Sequence, residues 1–313
     1  MSDALKPESN PADRDYLLTR MARKVVGSGV ADTASGQLDM VRLRGYRLGR
    51  LQAELRKLDV GGILLGDAVN IRYATGVRNM QAWSLHSLIR TAFVPTEGKA
   101  VCFEYGGSEH LAQPLETVAE VRMGGGTYRA GTNRGPDGER DPAVTAWARQ
   151  VAELVRAQGS TRLAIDRMIG HFVALALADQ GLTIVPGGPA MGQAQAIKSF
   201  DEVQCITVAI AATESGIAKM RAALVPGISE NQLWAILNGE NIALGGDYSD
   251  TRLLSSGGRT NPWYQEATDR RGRPAGGGSG RPHHRDHVGV VAVADQWTRL
   301  AHTNCSSLGR APA

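Results

Sequence analysis

Ile197-Lys-Ser-Phe-Asp-Glu202-Val-Gln-Cys-Ile206 opens a stretch that runs unbroken to Leu224 and then reads Val225-Pro-Gly-Ile-Ser-Glu230. Apolar residues recur at Val203, Ile206, Ile210, Ile217, Met220 and Leu224, at spacings of three, four and seven. That period predicts one long helix with a continuous apolar stripe. Pro226-Gly227 ends it, because proline has no amide to donate and glycine accepts the reversed backbone of a helix terminus. Ser229 and Gln232 have capping-box spacing, so a second helix opens there with Leu233, Ile236, Leu237 and Leu244 inward.

Toward the N-terminus, Pro186-Gly-Gly-Pro189 is the best linker candidate. Before it, strand and helix signals alternate. Asp39 precedes an amphipathic helix carrying Leu48, Leu51, Leu55 and Leu58, and Gly61-Gly62 stops it. Ile63-Leu64-Leu65 reads as a short buried strand, and Asn70 to Gly76 as a second extended piece. Thr91 to Tyr105 holds two strands joined by a turn at Glu97-Gly98. A helix follows Asp141-Pro142 with Val144, Trp147, Val151 and Val155 on one face, and Gly159 ends it. Arg162–Asp166 is a strand, 170–180 a helix and Leu182–Val185 a strand. This alternation predicts an α/β layer with some parallel pairing. Gly124 to Gly138 lacks the strand and helix context of a phosphate cradle and reads as a surface loop. Residues 1–38 are polar and irregular, an arm that packs on a partner or stays flexible.

Downstream the chain changes character at about Arg270. Lys and Glu vanish, Arg, Gly and Pro crowd in, and four of the seven His appear. Residues 270–313 hold seven Arg and two Asp, a balance of +5; the whole chain is +4, so residues 1–269 sit at −1. The basic character is local to this end, which sets nucleic-acid binding aside. Cys102, Cys205 and Cys305 form no close pair and no metal spacing, which suits a reducing compartment. No apolar run approaches the ~18 residues of a membrane span, and the N-terminus lacks a signal peptide's apolar core. The expectation is a cytoplasmic protein with no membrane partner. Four regions follow: an arm at 1–38, an α/β domain at 39–188, a second domain begun at 189–269 and an aberrant tail at 270–313.

The motifs Ile197-Lys-Ser-x-x-Glu202-Val and Val225-Pro-Gly-x-Ser-Glu230, with their two helices, resemble the opening of the pita-bread catalytic domain. Creatinase, prolidase and Xaa-Pro aminopeptidase share that domain. Residues 40–185 are similar to the smaller creatinase-type N-terminal domain that precedes it. Asn70-Ile-Arg-Tyr-Ala-Thr75, Asn79-Met-Gln-x-Trp83, Arg252-Leu-Leu and Arg259-Thr-Asn-Pro-Trp263 look like the dimethylsulfoniopropionate lyase branch. The fold implied is a creatinase-type α/β domain followed by an incomplete pita-bread (α+β) domain. The resemblance also implies a homodimer, a small-molecule substrate, and in intact relatives a divalent metal pair (Fe, Mn, Co or Zn). Two Asp, one His and two Glu would hold that pair. The first two Asp should follow soon after Asn261, yet Arg270 to Val288 contains no Asp-x-Asp. No catalytic or metal-ligating residue is therefore assigned in this chain. It is expected to run out of register near Arg270, as a truncated or frameshifted product would, and to be inactive.

His283-His-Arg-Asp286-His287 is the one local metal-like cluster. Contiguous ligands cannot all aim at one ion without a supporting fold, so it reads as solvated tail. His86 and His110 have no clustered carboxylates and read as structural or exposed. Three residues remain as substrate-binding candidates. Trp83 could hold a sulfonium or ammonium group over its face, or pack under its own loop. Asp166 ends a strand and could contact substrate or cap a helix beginning at Met168. Trp263 closes the loop 255–263, where the resemblance places a proton-shuttling His in peptide-cleaving relatives. Thr260-Asn-Pro-Trp263 has none, which moves the reading from Xaa-Pro peptidase toward C–S lyase or hydrolytic chemistry on a small cationic or amino-acid-like substrate. A non-catalytic dimerisation or binding module is the alternative from another class.

Overall fold

In the computed structural model the described residues are 38–78, 87–124, 141–244, 246, 252–260 and 265–271. Asp39 accepts the Arg42 amide at 2.9 Å and so starts α1 (Met40–Lys57), satisfying one of the donors a helix leaves open at its first turn. β1 (Gly62–Leu65) follows, then α2 (Ala68–Thr75), β2 (Thr91–Pro95), β3 (Ala100–Glu104), a 3-10 turn at Glu109–Leu111, and β4 (Val118–Met123). α3 (Pro142–Ala157), β5 (Arg162–Ile165), α4 (His171–Ala178), β6 (Thr183–Pro186) and α5 (Gly188–Ala196) complete the first unit, whose described residues run 39–199.

The strands form one mixed sheet in the order β4-β3-β2-β1-β5-β6, with β1, β5 and β6 parallel and β2 antiparallel to both β1 and β3. Period-two alternation sends Ile63 and Leu65 to one side and Leu64 to the other. On the first side they meet Leu48, Leu51 and Leu55 of α1, Ile71 of α2 and Met191 of α5. On the second, Leu64, Phe93 and Phe103 meet Val144, Trp147 and Val151 of α3 and Leu177 of α4. Helices on both faces explain why β1, β2 and β3 are buried along their whole length.

Three expectations change. Asn70 to Gly76 is helix, not an extended piece: Asp67 caps Val69 N at 2.9 Å and Gly76 ends the helix at φ 81°. These two caps outweigh the strand preference of Ile71, Tyr73 and Thr75. β4, an edge strand, is an element the reading did not place; its alternation is blurred by Ala119, Glu120 and Arg122. Pro186-Gly-Gly-Pro189 is not a linker, because α5 begins within it and stays with the first unit. The α5 terminus is held by Tyr73 Oη on the Ala194 carbonyl (2.8 Å), Arg50 Nη2 on Gln193 (2.8 Å) and Tyr46 Oη on Ile197 (3.1 Å). These donors fill carbonyls that a helix end leaves open. The first unit ends at Ser199, eleven residues beyond the expected end at 188.

Gly76 matters for a second reason. A Cβ there would lie 2.3 Å from Arg44 Cδ, and Arg44 is a buried residue forked onto Glu116 at 2.6 and 3.1 Å. Gly76→Ala is expected to cost about 1–2 kcal/mol for the left-handed backbone alone, plus whatever Arg44 loses in moving. Urea unfolding of the variant measures this, and an unchanged midpoint would contradict it.

The second unit, from Phe200 onward, contains α6 (Phe200–Ala223), α7 (Glu230–Ala243) and a 3-10 turn at Gly257–Thr260. The Ser229–Gln232 capping box forms in both directions, at 3.1 and 2.9 Å. Leu233, Leu237 and Leu244 are buried as expected, and Ile236 is half-buried. Of the expected α6 stripe only Met220 is fully buried; Cys205, Val208, Ala209, Ala212 and Gly216 carry the packed face instead. No described helix is long and apolar enough to cross a membrane.

Candidate functional site

In the first unit, polar chemistry gathers at the carboxyl ends of the parallel strands β1 and β5, the edge where open α/β sheets place their ligands. Asp166 follows β5 directly and is 3% exposed. Its Oδ2 accepts the amides of Gly66 (3.1 Å) and Asp67 (2.9 Å) and the Asn70 side-chain amide (3.2 Å); Oδ1 accepts the Met168 amide at 3.0 Å. Burial pushes the carboxyl above its ordinary range, and the four neutral donors only partly oppose that. Asn70 passes the network on by accepting Gln195 of α5 at 3.3 Å. Asp67 holds Arg167 Nε at 2.7 Å while capping α2.

Asp166 thus receives a Met168 amide as the sequence reading expected, but no helix starts there. Residues 167–169 are a turn, and α4 begins at His171 behind Gly170. The hydrogen bonds of Asp166 tie the β1–α2 loop to the β5–α4 loop. Asp67 and Gln195 were not singled out beforehand, and Asn70 entered only as the first letter of the motif Asn70-Ile-Arg-Tyr-Ala-Thr75. The pattern strand-Gly66-Asp67 before a capped helix was the available signal for Asp67; nothing local marks Gln195.

In the second unit, Glu230 in the first turn of α7 is 3% exposed and collects the loop that follows. Oε1 accepts the Ser256 amide (2.8 Å) and hydroxyl (2.7 Å); Oε2 accepts the Thr268 amide (3.0 Å), its hydroxyl (2.7 Å) and Arg259. Burial is the largest single influence and works against ionisation. The Ser256, Thr268 and Arg259 donors together overcome it and hold the carboxyl below its usual range. Arg259 also donates to Gln265 Oε1 (2.9 Å) and the Glu266 carbonyl (2.8 Å). Trp263, Trp83 and His283–His287 lie outside the described residues.

Among the described residues, no three His, Cys, Asp or Glu side chains stand together in a way that could hold a metal ion. The described residues do not fit a metal pair. Cys102 and Cys205 are buried free thiols. Burial, with the charge of Glu104, pushes the Cys102 thiol up to about 12, so it is an inert core group.

The fold is that of the pita-bread peptidases. An Xaa-Pro dipeptidase from Bacillus anthracis superposes with a TM-score of 0.56 at 15% identity, over 73% of this chain and 57% of that one. Sequence relatives narrow the class. The dimethylsulfoniopropionate lyase DddP of Roseovarius nubinhibens is 37% identical over 239 residues, and DddP of Roseobacter denitrificans 35% over the same length. Each alignment takes in 74% of this chain and 52% of the relative, so the chain spans about half the length of the curated relatives it matches. No family model matches the chain. By fold the chain is similar to the pita-bread peptidases, and by sequence it is a relative of the dimethylsulfoniopropionate lyases over about half their length.

Proposed function

We propose that this chain derives from an enzyme that breaks a carbon–sulfur bond in a small sulfonium carboxylate, and that in its present form it binds such a molecule without turning it over. The observation that carries the lyase reading is the 37% identity to a dimethylsulfoniopropionate lyase across 239 residues. In that chemistry a base takes the proton next to the carboxylate, a carbon–carbon double bond forms, and the sulfide leaves with the electron pair of the broken C–S bond. The absence of His from residues 252–264 agrees, since cleaving an amide asks for a group that can protonate the leaving nitrogen. Inactivity is inferred from Arg270–Val288, which holds no Asp-x-Asp.

A sulfonium is a fixed cation without a proton to donate, so it is recognised by aromatic faces rather than by hydrogen bonds. Trp83 and Trp263 are assigned that role. Asp166 is assigned the positioning of the Gly66–Asn70 loop.

The purified chain incubated with Mn, Fe or Zn tests both halves. Dimethylsulfide release from dimethylsulfoniopropionate and cleavage of an Xaa-Pro dipeptide are both expected to be absent. Calorimetry should still detect the sulfonium, with Trp83→Leu weakening it about tenfold, the ~0.5–2 kcal/mol of a cation–π contact. Release of dimethylsulfide at enzymatic rates would overturn the inactivity. Xaa-Pro cleavage, or no sulfonium binding at all, would overturn the lyase reading.

A further inference from the structure

Asn70 stands between the buried Asp166 carboxylate and α5, and charge sets the direction of its side-chain amide. An ionised carboxylate accepts hydrogen bonds and donates none. Asn70 therefore turns Nδ2 toward Asp166 Oδ2 at 3.2 Å, which leaves its Oδ1 to accept Gln195 Nε2 at 3.3 Å. The other groups on the carboxylate are the backbone amides of Gly66 (3.1 Å), Asp67 (2.9 Å) and Met168 (3.0 Å). These are donors held in two loops, and they offer a proton on Asp166 nothing to bond to. A carboxylic acid carries one O–H donor, and a donor buried without an acceptor is costly. Of the four partners, Asn70 is the one with an oxygen on a rotatable bond. Turned end for end an amide keeps its shape, so Oδ1 can replace Nδ2 beside Asp166 without repacking.

On the far side of Asn70, Nδ2 would then face Gln195 Nε2, two donors with no acceptor between them. Gln195 must turn its own amide or let go. Asn70 and Gln195 are both half-buried, so neither amide is locked inside the core. Gln195 lies in the last turn of α5, where its carbonyl accepts Lys198 Nζ. Burial favours proton uptake, since it holds the Asp166 carboxyl above its ordinary range. The charged and titratable groups on the surrounding elements are Asp67 and Arg72 at and within α2, Arg167 after β5, His171 opening α4, and Lys198 beyond α5. Arg167 is bound by Asp67 at 2.7 Å, so these two offset each other beside Asp166.

We propose that Asp166, Asn70 and Gln195 form a proton-operated relay: uptake of one proton at Asp166 reverses the Asn70 amide, and Gln195 of α5 reads the reversal. The proton comes from solvent and stays on Asp166, bonded to Asn70 Oδ1. The relay is independent of the lyase reading, since it uses no substrate and no metal.

Side-chain amide NMR signals of the isotope-labelled full chain, followed against pH, test it. The Asn70 and Gln195 signals are expected to move together, at one midpoint above the ordinary aspartate value of about 4. By linkage, whatever proton uptake does to the Gln195 bond, removing that bond does to proton uptake. Gln195→Ala should therefore raise the Asn70 midpoint by about half to one unit, a gain of roughly three- to tenfold in proton affinity. A carboxylate that merely joined two loops would show no such shift, because its four hydrogen bonds do not include Gln195. Asp166→Asn should abolish both movements, and His171→Gln should leave them in place, which separates the carboxyl from the nearby imidazole. Gln195→Ala falls on a half-buried helical position and decides the question even where Asp166→Asn does not fold. Signals that do not titrate, a Gln195 signal that stays still while Asn70 moves, a midpoint unchanged in Gln195→Ala, or titration that persists in Asp166→Asn would each overturn the relay.

Discussion

Glu104→Ala is expected to cost the first unit about 3–5 kcal/mol, the loss seen when one partner of a buried ion pair is removed. Arg90 precedes β2 and Glu104 ends β3; both are 1% exposed, and Nη2 meets Oε1 at 2.7 Å. The carboxylate is the charge that lets a guanidinium sit inside the sheet layer. Without it the cation keeps its desolvation cost and loses the attraction that offsets it. Ser108, whose hydroxyl reaches the other Glu104 oxygen at 3.4 Å, is a neutral group and does not replace that charge. Removing both charges together, as Arg90→Met with Glu104→Leu, should recover much of the loss, since an apolar pair of similar volume needs no compensation. Urea unfolding of the three variants decides. A single variant within about 1 kcal/mol of the parent, or a double variant no better than the single, would show that the pair is not what holds this end of the sheet.

The pair also separates what could be read in the chain from what could not. α1, α3, β1, β2 and β3 were legible because each combines an apolar period with a punctuating residue: Asp39, Asp141-Pro142, Gly61-Gly62, and Gly98 at φ 90° between β2 and β3. α2 was misread because eight residues are too few for a helical period to outweigh β-branched side chains, and its two caps decided the outcome. α5 was misread because Pro186-Gly-Gly-Pro189 punctuates the start of a helix as well as it would a linker. The membership of α5 in the first unit rests on Tyr46, Arg50 and Tyr73, donors more than a hundred residues away. The same distance hides the polar knots. Asp166 was noticed for its place at a strand end, but its partners Gly66, Asp67 and Asn70 lie about a hundred residues earlier. Glu230 entered only as a letter of the motif Val225-Pro-Gly-x-Ser-Glu230. Its role depends on Ser256, Arg259 and Thr268, and no local spacing encodes that meeting.

Glu230→Ala should therefore release the segment 252–271 from α7 while leaving the first unit intact. Five donors converge on one buried carboxylate: two amides, two hydroxyls and the Arg259 guanidinium. The Ser256 amide and hydroxyl are buried and each costs about 1–3 kcal/mol when left without an acceptor; the Thr268 and Arg259 donors are partly exposed and cost less. Among the described residues, the segment is also tied to α7 by the Glu230 and Asn231 amides on the Arg270 and Thr268 carbonyls and by Asn231 on Asp269 at 2.9 Å, and to the turn before α7 by Arg271 on the Gly227 carbonyl at 3.0 Å. Losing the carboxylate is expected to exceed what those ties supply. Amide exchange at Ser256 and Thr268 should then rise to the rate of open chain, while Ile63 to Leu65 stays protected. Acid should mimic the substitution. The folded carboxyl titrates below its unfolded value, so its contribution is fully present above the ordinary glutamate range and is lost as pH falls through the depressed folded value. The Arg259 guanidinium faces Glu230 directly, and Glu266, Asp269, Arg270 and Arg271 lie on the same segment. Glu230→Gln keeps the size and one acceptor oxygen but has no charge to lose. It should weaken the segment at neutral pH and flatten its pH dependence below about pH 5. Protection at Thr268 that falls with acid equally in the parent and in Glu230→Gln would show that the pH dependence does not come from Glu230. Protection unchanged in Glu230→Ala would show that the backbone bridge of Ser229 to Arg271 holds the segment by itself.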